Sequence, residues 1–267
     1  MSAGAPRIVS LVPSLTELVC ALGLAPYLVG RTGFCIHPRA LLRDVPKLGG
    51  TKGPMMDRLR ALRPTHLILN REENEKAVYE EACTFVPNVI VTYPITLQDN
   101  RALYGEFGDI FECRARAQRL TEAFDRAHAS ILSRRFSPLP VLYLIWREPW
   151  MAVSRDTFIS HMLAAVNLLT VPSDLADARA GRYPTIDTEA FSSMGPRAIL
   201  LSSEPYRFTQ RHLEEIARMP HLAEVPCRLI DGEMTSWYGL RAIRGLRYLA
   251  RFRDRLDRDL TRIADVR

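Results

Sequence analysis

Lysine is nearly missing from this 267-residue chain: Lys47, Lys52 and Lys76 are the only three, so 33 of its 36 basic residues are arginine. No apolar run approaches the ~18 residues that a membrane-spanning helix needs, which excludes a helical membrane protein. Cysteine is sparse and unpaired in pattern. Cys20, Cys35, Cys83, Cys113 and Cys227 are odd in number, widely spread and without a CxxC pair, which argues against a disulfide framework or structural zinc and fits a reducing compartment. The nucleotide motifs are missing too. In Gly49-Gly50-Thr51-Lys52-Gly53 the lysine precedes the last glycine and Pro54 follows, so the spacing is not that of a P-loop, and no GxGxxG follows the first strand. There is no HExxH or GxSxG, and no two of the six histidines stand at i,i+4. A secretory leader is also absent as written: only Arg7 is basic, Pro13 interrupts the apolar stretch and Glu17 sits where the apolar region belongs. The expectation is a cytoplasmic chain, or a periplasmic one if a leader has been removed.

What is present is globular. The chain is 47% hydrophobic and 25% charged, and its length suits one large α/β domain or two of about 130 residues. The net charge is +6 and the pI about 9.2. Arginine's flat donor fork suits carboxylates and phosphates, so an anionic partner is one reading. Arginine-rich usage, with most arginines paired to the acids, is the plainer one, because no segment is a pure basic run.

Along the chain, Arg7–Val12 reads as a buried strand, and Ser14-Leu15-Thr16-Glu17 as a capping box opening a helix that ends at Gly23. Strands are predicted at Tyr27–Arg31, His66–Asn70 and Val89–Thr92, with helices at Asp57–Arg63 and Glu72–Cys83. Then Phe107, Ile110, Ala117, Leu120, Phe124, Ala127 and Ile131 recur at helical spacing, and no glycine or proline breaks Asp109–Ser133. That predicts one unbroken helix, about 40 Å long, serving as a rod between two lobes. Beyond it, strands are predicted at Val141–Ile145, Ala198–Ser202 and Arg228–Asp231, and helices at Thr157–Leu169, Thr188–Ser193, Gln210–Met219 and from Tyr238 onward. The pattern is α/β, two Rossmann-like lobes: residues 1–104, a connecting helix over 105–136, and residues 137–267.

Aromatic residues collect where predicted strands end. Phe34 follows the second strand. Trp146 and Trp150 follow the first strand of the second half, Tyr183 and Tyr206 lie in Pro-containing loops, and Trp237-Tyr238 follow the last strand. In open α/β sheets ligands sit beyond the carboxyl ends of strands, so a large, flat ligand in a cleft between the lobes is expected, with Arg71, Arg147 and Arg241 for its anionic groups.

The opening Arg-Ile-Val-Ser-Leu-Val-Pro-Ser-Leu-Thr-Glu-Leu, Val29-Gly30, the stretch Gly49–Pro64, Arg71-Glu72-Glu73-Asn74 and Asp231-Gly232-Glu233…Ser236-Trp237-Tyr238-Gly239 carry a resemblance. Over most of its length the chain resembles the class III substrate-binding proteins of ABC importers, helical-backbone receptors for cobalamin, haem or iron–siderophore complexes, and it is most similar to the cobalamin branch. The resemblance implies non-enzymatic binding of a corrinoid or another chelated metal as ligand rather than built-in cofactor, in an importer component or a cytosolic relative. It implies ligand contacts at Phe34 and His37 in the first lobe and at Trp146, Trp150, Trp237 and Arg241 in the second, to which the strand-end reading adds Arg71, Tyr183 and Tyr238. It implies permease docking through Asp57 and Glu189, one acid per lobe, although Asp57 stands where glutamate is usual. Asn70 replaces a tryptophan of the family pattern. The implied partners are the chelate and an ABC permease, with no metal site of its own, no nucleic acid and no membrane span, and the chain is expected to be a monomer. The alternative is an enzyme on the same scaffold, with His37 and Asp231 or Glu233 as an acid/base pair.

Overall fold

The computed structural model describes residues 4–171, 181–220, 222 and 224–265. In it the opening apolar run forms β1 (Ile8–Ser10), buried at all three positions. It leads into α1 (Pro13–Ala21), buried from Pro13 to Cys20. The expected capping box does not form. The N-cap is Val12, which has no side-chain acceptor, and Pro13 at the first helical positions sets the turn through its fixed φ. Glu17 instead faces Arg241, described below. The predicted stop holds: Gly23 has φ +75°, and the Leu24 amide donates back to Val19 O.

Two units divide the chain. The first takes the described residues of Met1–Pro94, Gln98–Glu122 and Tyr238–Arg241, the second those of Ile95–Leu97, Ala123–Trp237 and Ala242–Arg267. After α1 come β2 (Leu28–Arg31), α2 (Arg39–Leu42), α3 (Met56–Ala61), β3 (His66–Asn70), α4 (Lys76–Ala82), β4 (Asn88–Thr92), α5 (Leu97–Ile110) and α6 (Arg114–Leu132). The four strands of the first unit make a parallel sheet ordered β2-β1-β3-β4. The chain leaves β1 for β2 on one side and returns to β3 on the other, so the topological switch point lies at the carboxyl ends of β1 and β3. Val9, Leu11, Leu48, Leu59, Leu67 and Leu69 pack one core of this unit.

Two helices differ from expectation. The helix predicted from Glu72 starts at Lys76, because Asn70 Oδ1 accepts from the Glu72 and Glu73 amides and Asn74 Oδ1 from the Asn70 amide. These local bonds give the backbone an alternative to the helix. The unbroken helix expected over Asp109–Ser133 is two helices, α5 and α6, parted at Phe111–Cys113. Glu112 takes φ +52°, and the Cys113 amide closes α5 on Gly108 O at 2.8 Å. A Cβ on Gly108 would lie 2.5 Å from Ala117 Cβ, so the missing side chain lets α6 fold back onto α5. The break also resets the helical phase: Phe107, Ala117, Phe124, Ala127 and Ile131 are buried as expected, whereas Ile110 is exposed.

The second unit continues with β5 (Leu139–Trp146), β6 (Met151–Ala152), α7 (Phe158–Ala164), β7 (Leu168–Thr170), α8 (Ala190–Ser193), β8 (Ala198–Ser202), α9 (Gln210–Ala217), β9 (Cys227–Ile230), α10 (Gly232–Ser236) and α11 (Leu240–Asp265). Its sheet runs β6-β5-β8-β9, with β7 also on β5, and every pairing is parallel except β5 with β6. Thr157, where the predicted helix begins, is the N-cap of α7, its hydroxyl accepting from the Ser160 amide. The helix ends early because Asn167, at φ +55°, turns the chain into β7. On α11, Ile243, Leu246, Leu249 and Leu256 are buried as the periodicity requires, while the Ile263 side chain lies outside the described ones. Arg253 pairs with Asp257 on the helix, but Asp254 and Asp259 pair with Arg134 and Arg228 from other elements.

Candidate functional site

In the second unit the strands β5, β8 and β9 all end at one set of loops. Tyr143, fully buried on β5, joins them from beneath: its hydroxyl lies 2.6 Å from Thr235 Oγ1 on α10 and donates to Ser202 Oγ at 3.1 Å. Ser202 in turn donates to Glu204 O at 2.6 Å, which fixes the loop after β8. Glu204 Oε1 accepts from Ser236 Oγ and from Trp237 Nε1, both at 2.7 Å. Gly232 leaves room for this arrangement, because a Cβ there would sit 2.5 Å from Glu204 Cγ. A cavity of ≈ 470 Å³ opens here, and Ser203, Glu204, Phe208, Asp231 and Glu233 are among its walls. Burial, with Glu233 and Asp231 nearby, raises the Glu204 carboxyl above the ordinary glutamate range against the pull of its two donors.

A carboxyl that protonates more readily folded than unfolded makes ionisation costly to the fold. The cost is absent below the ordinary range and is felt as pH rises through the raised folded value. Glutamine keeps an Oε1 for both donors and removes the charge. Glu204→Gln should therefore melt higher than wild type at about pH 7, with the gap closing towards about pH 4. Thermal unfolding across that range tests this, and a gap independent of pH would refute it.

In the first unit the loop after β2 carries Phe34 and His37. Phe34 is 63% exposed and its ring lies over Gly50, with Cε2 3.8 Å from where a Cβ would stand. His37 is half-buried, and the bonds His37–Pro38, Glu148–Pro149 and Glu204–Pro205 are cis. Arg71, after β3, is exposed with its guanidinium 5.0 Å from the Tyr93 ring centre.

The remaining sequence-derived candidates separate into surface and interior. Trp146 is 40% exposed and meets Tyr206 edge-on at 5.7 Å. Tyr183 is half-buried, and Asp57 and Glu189 are exposed. Trp150, expected on a pocket wall, instead stacks on Phe208 at 5.9 Å, meets Phe191 at 5.8 Å and packs against the hydrophobic core. Arg147, expected to meet an anionic ligand, forks onto Glu215 with Nη2 at 2.6 Å from Oε1. Tyr238 is 7% exposed, its hydroxyl donating to Glu73 at 2.7 Å. Arg241 is 5% exposed and makes two 2.8 Å bonds to Glu17. Both were expected at a ligand, and both are committed to acids of their own unit, because a buried cation or hydroxyl needs an internal partner. Glu204 is the residue sequence reading missed. Its signal was the Ser-Glu-Pro-Tyr run at a strand end, read only for its tyrosine.

His37 belongs to the first unit, Asp231 and Glu233 to the second. Among the described residues no group of three or more His, Cys, Asp or Glu side chains is placed to hold a metal.

Comparison with known proteins adds an independent line. The model of a family described as "Periplasmic binding protein" matches residues 8–227. The vitamin B12-binding protein of Pectobacterium atrosepticum is 21% identical over 202 residues, covering 73% of this chain and 71% of that protein. Among solved structures, the periplasmic vitamin B12 binding protein BtuF of Vibrio cholerae superposes with a TM-score of 0.77 at 15% identity, over 94% of this chain and 97% of that one. The periplasmic heme-binding protein RhuT from Roseiflexus sp. RS-1, in apo form, gives 0.77 at 22% identity, over 94% and 99%.

Proposed function

The chain belongs to the periplasmic binding protein family, and from that premise we propose that it is a non-enzymatic receptor for a corrinoid or a similar chelated metal, as substrate-binding component of an ABC importer or a relative of one. The family and the structural neighbours are binding proteins, and no described helix is long and apolar enough to cross a membrane. The observation that carries the reading is aromatic surface at strand ends: Phe34 is exposed in the loop after β2 and Trp146 at the last residue of β5, where α/β sheets receive ligands. With Trp237, His37, Arg71 and Tyr183 they form the contact set of this reading, the two lobes being residues 1–104 and 137–267. Asp57 and Glu189, both exposed, serve as its permease contacts.

The carboxylates around the second unit's cavity bear on which chelate. A corrinoid is fringed by amides, whose N–H groups donate to Glu204, Asp231 and Glu233. A haem carries two propionates, which those acids repel. Cyanocobalamin should therefore bind more tightly than hemin.

Fluorescence titration with each chelate tests the reading, since a bound chromophore beside tryptophan quenches it. Trp146→Ala is expected to weaken cyanocobalamin binding about tenfold or more, from lost stacking plus lost burial. Trp150→Phe, at a half-buried ring packed against the core, and Asp57→Lys or Glu189→Lys should leave the curve unchanged. Saturating cyanocobalamin, hemin and ferric siderophore that leave emission untouched, with only apoprotein by native mass spectrometry, would sink the proposal.

A further inference from the structure

Three arginines of the described chain are buried: Arg31, Arg241 and Arg253. Arg241 has Glu17 and Arg253 has Asp257. Arg31, at 6% exposure, has no carboxylate among the described residues. Its Nε and Nη2 donate to Leu42 O at 3.2 and 3.0 Å, and its Nη1 to Thr32 O at 3.2 Å and Cys35 O at 3.0 Å. The donors are satisfied by neutral carbonyls while the charge is left without a counter-charge. A buried charge in that condition is costly, and folded proteins ordinarily supply the opposite charge.

The surroundings add to the imbalance. Arg31 closes β2, its amide bonded to Pro46 O and its carbonyl to the Leu48 amide, which sets Lys47 alongside. Arg31, Arg39, Arg43 and Lys47 line a cavity of ≈ 500 Å³ whose other walls include Ile36, Ala40 and Leu42. Asp44 is the one acid between Arg31 and Lys47, and it is not on the lining. None of the four cations forms an ion pair among the described residues.

We propose that this cavity is an oxyanion site taking a phosphate-bearing small molecule. A phosphate dianion offers the counter-charge that Arg31 lacks, and the exposed Arg39, Arg43 and Lys47 give it charge-assisted bonds at the rim. The apolar walls suit a short organic tail. The site uses none of the residues assigned to the chelate, so the two readings stand or fall separately.

Calorimetric titration of the full chain with inorganic phosphate and with glycerol phosphate, at ionic strength held constant by chloride, tests it. Arg31 is buried and its replacement endangers the fold, so the exposed rim carries the test. The expected result is saturable one-to-one binding that weakens tenfold or more in Arg39→Ser/Arg43→Ser. A control pair exposed on α11, Arg244→Ser/Arg251→Ser, should bind as wild type does. No saturable heat, or equal weakening in both pairs, would overturn the proposal in favour of diffuse charge screening. Association with phosphatidic acid vesicles without any response to free phosphate would overturn it in favour of a membrane-facing patch.

Discussion

Arg241→Met and Glu17→Gln are each expected to destabilise the protein by about 3–5 kcal/mol, a large part of the roughly 5–15 kcal/mol that holds a domain folded. The two side chains are 6% and 5% exposed, and the guanidinium fork meets both carboxylate oxygens at 2.8 Å. Removing either partner strands the other's polar atoms and, for one variant, a full charge in an apolar setting around α1. The pair itself adds little net stability, because desolvating both charges offsets their attraction. The double variant Glu17→Leu/Arg241→Met should therefore recover most of what either single change loses. Urea unfolding of the three variants decides the matter. Single losses under 1 kcal/mol would mean that water reaches the pair, and additive losses in the double variant would mean that the hydrogen bonds alone carry the effect.

Gly245→Ala should also destabilise strongly, against the helix propensity of its own segment. At this interior position in the second turn of α11, alanine would ordinarily gain about 0.8–1 kcal/mol over glycine. Here an added Cβ would lie 2.2 Å from Met234 O and 2.8 Å from Met162 Cε. The methionine tip can swing away; the backbone carbonyl of α10 cannot. Forced overpacking of this kind typically costs about 1–3 kcal/mol or more, and displacing α10 disturbs the Ser236 and Trp237 bonds to Glu204. Gly105→Ala, on α5 with nothing within 4 Å of its Cβ, is the matched comparison and should stabilise by about 0.5–1 kcal/mol. Thermal melts that place both variants on the same side of wild type would contradict the packing described for α10 and α11.

Much of the fold was legible because its signals are local. His66–Asn70 and Ala198–Ser202 were read to the residue, each being a short apolar run between turn-forming neighbours, and the stop of α1 at Gly23 and the start of α7 at Thr157 announced themselves. Four of the elements that escaped are too short to show a period: α2, β6, β7 and α10 have four, two, three and five residues. The 14-residue α5 escaped too, except for its end, because the predicted helix was begun at Asp109. The break between α5 and α6 escaped because its agent is Glu112 in a left-handed turn, and no residue type flags that in advance. The site was legible in place but not in direction. Strand-end position put Trp146 on the last residue of β5 and Trp150, Trp237 and Tyr238 outside the strands, yet it does not say which way a ring turns. Trp150 turned against the core and Tyr238 towards Glu73. Glu17 shows the same limit, since a capping role and a buried ion pair look identical until a partner 224 residues away is placed beside it.

That separation sets a schedule on the ribosome. The four-residue insert Tyr238–Arg241 completes the first unit, supplying Arg241 to Glu17 and the Gly239 amide and carbonyl to Asn100 and Tyr104. At the usual pace of synthesis, Glu17 emerges roughly 11–45 s before its counter-ion. Through that interval the amino-terminal sheet exists without the charge that neutralises α1, exposed to proteases and to premature association. The first unit to be made is thus among the last to be finished, and any nascent-chain chaperone that serves this protein must wait for its carboxyl-terminal helix.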